Sequence, residues 1–103
     1  VLVQPATTTA TQRVMIVNRK GLHARASARL SRLAGEFDAH VTVHHEAESA
    51  DARSIMDLLM LVAHMGCEVE LRAEGPEAAE AVTAIASLIA EGFGEQGQND
   101  DIC

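Results

Sequence analysis

The sequence predicts an α+β domain of order β-α-β-β-α-β-α, with its helices packed on one face of a sheet. Residues 39–45 and 67–73 alternate apolar and polar side chains as half-buried strands do, whereas residues 24–34 and 78–91 repeat their apolar positions at three- and four-residue spacing. Gly21, Gly35, Gly66 and Gly75-Pro76 punctuate these stretches.

Each element has its own signal. Residues 13–17 are largely β-branched or apolar and read as the first strand; it ends in the polar turn Asn18-Arg19-Lys20-Gly21, whose glycine permits a positive φ. In the helix that follows, Ala26, Leu30, Leu33 and Ala34, continued by Phe37, share a buried face, and Gly35 marks the stop. Val41 and Val43 oppose His40, Thr42 and His44 in the second strand, and residues 49–52 supply a short partner through Glu46-Ala47-Glu48. The second helix starts near Ser54, where Ser-Ile-Met-Asp fits a capping box, and is expected to run to Gly66. Cys67, Val69, Leu71 and Ala73 form the inner face of the last strand. Gly75-Pro76-Glu77 then opens a third helix, whose stripe of Ala78, Ala81, Val82, Ile85, Leu88 and Ile89 belongs against the sheet.

A chain of 103 residues holds one compact domain, expected at residues 12–92 between flexible tails at 1–11 and 93–103. A core this small leaves no room for a deep, multi-loop active site, so the chemistry belongs at the surface. The net charge of −7, with Phe37 and Phe93 as the only aromatic residues, argues against a nucleic-acid partner, which calls for cationic grooves and stacking rings. No apolar run approaches a membrane span. Cys67 and Cys103 are too few and too differently placed for a disulfide framework, so the expected location is cytoplasmic. The histidines do not suggest a metal site: strand positions i and i+4, as His40 and His44, lie about 13 Å apart, and His44 and His45 face opposite ways.

The segment Gly21-Leu22-His23-Ala24-Arg25 carries the chemical signal. It places an imidazole at the mouth of an amphipathic helix, where unsatisfied N–H groups and the helix dipole meet an arriving dianion with a favourable field. Six of the eight basic residues, Arg19, Lys20, Arg25, Arg29, Arg32 and Arg53, fall in the segments flanking that site. On an acidic protein, such an asymmetry steers an acidic partner to one patch.

Three blocks, Gly21-Leu22-His23-Ala24-Arg25-Ala26-Ser27-Ala28, Ala52-Arg53-Ser54-Ile55-Met56 and Gly66-Cys67-Glu68-Val69, together resemble the HPr family of histidine phosphocarriers of the bacterial phosphotransferase system. The resemblance covers residues 12–92. It implies an open-faced β-sandwich, a four-stranded antiparallel sheet covered on one face by three helices. It also implies a monomeric intermediate carrier, without metal or cofactor, that takes a phosphoryl group from enzyme I and hands it to a IIA-type acceptor. Carried over by the same resemblance, His23 is the acceptor through Nδ1, Arg25 attends the phosphate, and Ser54 is a regulatory site for an HPr serine kinase/phosphorylase. Ala24, Ala28, Arg29, Arg32, Arg53, Ile55, Met56, Leu59 and Met60 then belong to the partner surface.

One position departs from the family pattern: Ala26 stands where a proline usually follows the arginine. Alanine restores an N–H and loosens the first turn while leaving the nucleophile untouched. This His-Ala-Arg-Ala form resembles the alphaproteobacterial type, which often serves a nitrogen-related regulatory branch rather than sugar uptake. Capping alone explains Ser54 equally well. A rival reading therefore keeps the fold and drops the relay, leaving a regulatory binding module that acts through Ser54. His23 speaks against it.

Overall fold

The computed structural model describes residues 8–95. Within them run β1 (Thr9–Met15), α1 (Ala24–Ala34), β2 (His40–His45), β3 (Glu48–Asp51), α2 (Ile55–Met60), β4 (Glu68–Glu74) and α3 (Ala78–Ala90), followed by a 3-10 turn at Gly92–Gly94. The strands make one sheet in the spatial order β1-β4-β2-β3, with every neighbour antiparallel. The register sets Val14 opposite Val69, Leu71 opposite Val43, and Val43 opposite Ala50, so the buried apolar residues of the strands fall on one face. The helices cover that face.

The core follows from the two periodicities. Val41, Val43, Val69, Leu71 and Ala73 point inward from the sheet, and Ala26, Leu30, Ala34, Leu58, Ala81, Ile85 and Ile89 meet them from the helices, all buried. The many alanines at the helix contacts let short helices approach the sheet closely. The remaining sheet face is polar, with Arg13 paired to Glu68 at 3.2 Å and Arg72 to Glu70 at 3.0 Å.

The largest departures from the expected bounds are three, while β2, β3 and β4 shift by one residue. β1 begins at Thr9, so residues 9–11 pair with β4 instead of belonging to a tail, while Val17 lies beyond the strand and is exposed. α2 ends at Met60, well short of Gly66, because Val62 adopts a left-handed φ of 51° and the chain turns away. The segment that follows binds other parts of the fold: the Ala63 carbonyl accepts from the Leu22 N–H at 2.9 Å and the Gly66 N–H donates to the Ile16 carbonyl at 2.8 Å. At the C-terminal end, Phe93, expected in a tail, is fully buried. The rest of both expected tails, residues 1–7 and 96–103, lies outside the described residues.

Candidate functional site

Gly21 decides where the site sits. Its φ is +63°, and a Cβ there would lie 2.5 Å from the Ala63 carbonyl oxygen and 2.6 Å from the His64 Cα, so only glycine lets the β1–α1 loop press against the end of the α2 loop. Leu22 is then buried, and His23 follows as the N-cap of α1 in an extended conformation. Ser27 closes the first helical hydrogen bond to the His23 carbonyl at 2.8 Å, and its buried hydroxyl donates to the Leu22 carbonyl at 3.3 Å. The amides of Ala24, Arg25 and Ala26 precede that bond and so belong to the orphan donors of a helix start.

The imidazole is held at both nitrogens. Nδ1 accepts from the Arg25 N–H at 3.3 Å, while Nε2 lies 2.5 Å from Glu95 Oε2. A carboxylate can only accept, so Nε2 carries the proton and Nδ1 presents its lone pair toward the first turn. Lys20, His23, Ala24, Arg25 and Glu95 line a cleft of about 250 Å³ around the ring. No acidic residue occupies the first turn of α1, which leaves the N-terminal field available to an anion. The Arg25 guanidinium is exposed and makes no hydrogen bond or ion pair among the described residues.

Glu95 is the residue that sequence reasoning missed. It is reached through Gly92 and Gly94, both at positive φ, with Phe93 at φ 59° buried between them. The Arg29 guanidinium donates to the Phe93 carbonyl. Asn18, itself buried, donates through Nδ2 to the Gly21 carbonyl at 2.9 Å and to Glu95 Oε1 at 3.2 Å, tying the C-terminal turn to the loop that carries His23. Burial alone would push the Glu95 carboxyl up. The hydrogen bonds from His23 and Asn18, with the charges of His23 and Lys20, outweigh it and hold the group below its ordinary value.

The other expected site residues divide. Ala24 and Arg32 are exposed on α1 and Ala28 is half-buried. Arg29 and Arg53 spend their guanidinia on the protein itself: Arg53 donates to the Phe37 carbonyl at 3.0 Å and the Ala39 carbonyl at 3.4 Å, clasping the α1–β2 loop. Ser54 caps α2, its Oγ accepting from the Asp57 N–H at 3.1 Å, but the return half of the box is missing because the Ser54 N–H donates to the Asp51 carbonyl. Ile55, Met56 and Met60 are exposed and Leu59 is half-buried. Met15, Val17, Val62 and Met65 are exposed as well. The Ile16 bonds to Gly66 and Cys67 tie the end of β1 to the loop before β4, a pairing across the sequence that periodicity does not reveal.

A labile phosphoryl site is what an unprotonated imidazole nitrogen at the first-turn amides, with an arginine alongside that has no partner among the described residues, can support. Comparison with known proteins points to the same class. The family model for the PTS HPr component phosphorylation site matches residues 10–91, so the chain belongs to the HPr family. Phosphocarrier protein HPr of Cupriavidus necator is 48% identical over 80 residues, covering 78% of this chain and 90% of the relative. Phosphocarrier protein NPr of Shewanella violacea is 42% identical over 84 residues, or 82% and 92% of the two chains. Among solved structures, HPr-C-His from Thermoanaerobacter tengcongensis superimposes with a TM-score of 0.81 at 34% identity, covering 84% of this chain and 98% of its own. The protein is thus a phosphocarrier of the phosphotransferase system, within a family that includes the nitrogen-related NPr branch.

Proposed function

We propose that His23 is the residue that carries the phosphoryl group, bonded through Nδ1, between enzyme I and a IIA-type acceptor in the cytoplasm. The observation that carries this reading is the direction of the Nδ1 lone pair, toward the Arg25 amide at the start of α1. A phosphoryl group there meets the first-turn amides, and Lys20 and Arg25 spread its charge. Arg25 supports the phosphate rather than the fold, since its guanidinium has no partner among the described residues. The N–P bond stays labile, so the group is passed on rather than trapped. The carrier works as a monomer and docks through the exposed Ile55, Met56 and Met60 beside the basic face of α1.

Ser54 fits a regulatory role for a serine kinase. It sits at the edge of that surface, and phosphate on it would place negative charge where an acidic partner docks, without requiring a change of fold. Incubation with phosphoenolpyruvate and enzyme I should give an acid-labile, alkali-stable adduct that disappears in His23→Ala and persists in Ser54→Ala. A wild-type protein that stays unlabelled, while a serine kinase labels it, would favour the binding-module reading instead.

A further inference from the structure

The C-terminal turn delivers a carboxylate to the reactive ring, and the way it is held shows that the contact is built. Phe93 is fully buried in a left-handed conformation that non-glycine residues rarely adopt, so packing has to sustain it. The glycines on either side allow the reversal, and at Gly94 a Cβ would come within 3.2 Å of Arg29 Nη1, the group that holds the Phe93 carbonyl. The result is a short arm pinned by an apolar anchor, by Arg29 and by Asn18, ending 2.5 Å from His23 Nε2. The Glu95 side chain is only 8% exposed, against 26% for His23. A loose surface carboxylate would keep most of its hydration.

We infer that Glu95 is a positioning residue for phosphoryl transfer: it fixes the proton on Nε2, aims the Nδ1 lone pair at the incoming group, and balances the charge the ring acquires. This rests on His23 being the acceptor. In the forward step the Nδ1 lone pair forms the new N–P bond while the donor's own P–N bond breaks and its electron pair returns to the donor imidazole. No proton leaves His23. The ring keeps its Nε2–H, gains a positive charge, and meets the Glu95 carboxylate on the side away from the phosphate. In the return step the same charge makes Nδ1 the better leaving group, and Glu95 holds the ring in place as the group departs. A carboxylate behind a reactive imidazole orients the ring and stabilises its cationic form in just this sense.

Glu95→Gln keeps the shape, removes the charge and lets an amide donate to Nε2, which favours the proton on Nδ1 and blocks the nucleophile. With phosphoenolpyruvate, enzyme I and the full chain, the first-order rate of His23 phosphorylation should fall at least about tenfold, with little change in the carrier concentration that half-saturates enzyme I. Nitrogen NMR of the unphosphorylated ring should show wild-type protein with Nδ1 bare and a growing Nδ1–H fraction in Glu95→Gln. Glu95→Ala should also be slow. A rate equal to wild type, or faster because the carboxylate had been repelling the phosphate, would overturn the inference. So would a loss confined to half-saturation with ring protonation unchanged. Wild-type protein that takes no label on His23 at all would remove the phosphocarrier assignment first, and this inference with it.

Discussion

α1 and α2 both open on a side chain that accepts from a first-turn amide: His23 Nδ1 from Arg25 at 3.3 Å, and Ser54 Oγ from Asp57 at 3.1 Å. The surroundings of the two caps differ. α1 has no acidic residue in its first turn and runs for 11 residues, whereas α2 carries Asp57 in its first turn and runs for only 6. One helix start keeps its positive end for an anion from outside; the other fills it with an aspartate of its own. The approach to His23 is braced by tertiary contacts from Ala63, Asn18 and Glu95, while the cap of α2 is made by residues within four positions of one another. Capping chemistry alone therefore does not make a phosphoryl site. The difference lies in which donors are left open and how firmly the acceptor is aimed.

Breaking the brace should have the largest effect. Phe93→Ala empties a fully buried position beneath the C-terminal turn, and the expected loss is about 3–5 kcal/mol by urea unfolding. A surface tail would give a change near zero. At the other helix start the effect is local: Ser54→Ala should cost about 1 kcal/mol, and Ser54→Asp, also a good cap, should restore it. The same aspartate adds negative charge beside the docking face, so it should weaken association with enzyme I in a way that salt reduces. Equal binding of Ser54→Asp and wild type at low salt would separate Ser54 from the docking surface.

The smallest contrast is in pH. The Glu95 carboxyl lies below its ordinary value of 4.5 in the folded state, so its contribution to stability is complete above that value and is lost as pH falls through the folded one. Wild type should lose stability on that acid limb, while Glu95→Gln, lacking the titration, should follow a flatter curve. Parallel curves would show that the carboxylate does not hold the turn.

Much of this arrangement was legible in the sequence, for identifiable reasons. The valines of β2 and the alternating residues of β4 set their own facing, and the stripes of α1 and α3 fall on the buried side as spaced. His23 was found because a glycine turn and a helix start adjoin it directly in the chain. What stayed hidden depends on contacts far apart in sequence. Thr9–Thr11, on an edge strand, offers only Ala10 to the core, a weaker signal than the valines of β2. α2 stops early because Ala63 and Gly66 give their backbone groups to Leu22 and Ile16, partners that no local pattern announces. Arg29 and Arg53 read as cations facing a partner, yet they hold carbonyls 64 and 16 residues away. The C-terminal turn did leave one trace. Ile85, Ile89 and Phe93 continue a four-residue spacing past the end of α3, which marks Phe93 as buried, although nothing in the glycine- and glutamine-rich stretch around it distinguishes Glu95 as the carboxylate that reaches His23.

The most direct measurement is the regiochemistry of the phosphohistidine formed from phosphoenolpyruvate and enzyme I, read by phosphorus–nitrogen coupling in the intact protein. With Glu95 on Nε2 and the first-turn amide on Nδ1, the phosphorus should couple to Nδ1 of His23. A stable adduct on Nε2, or on any other side chain, would contradict the account.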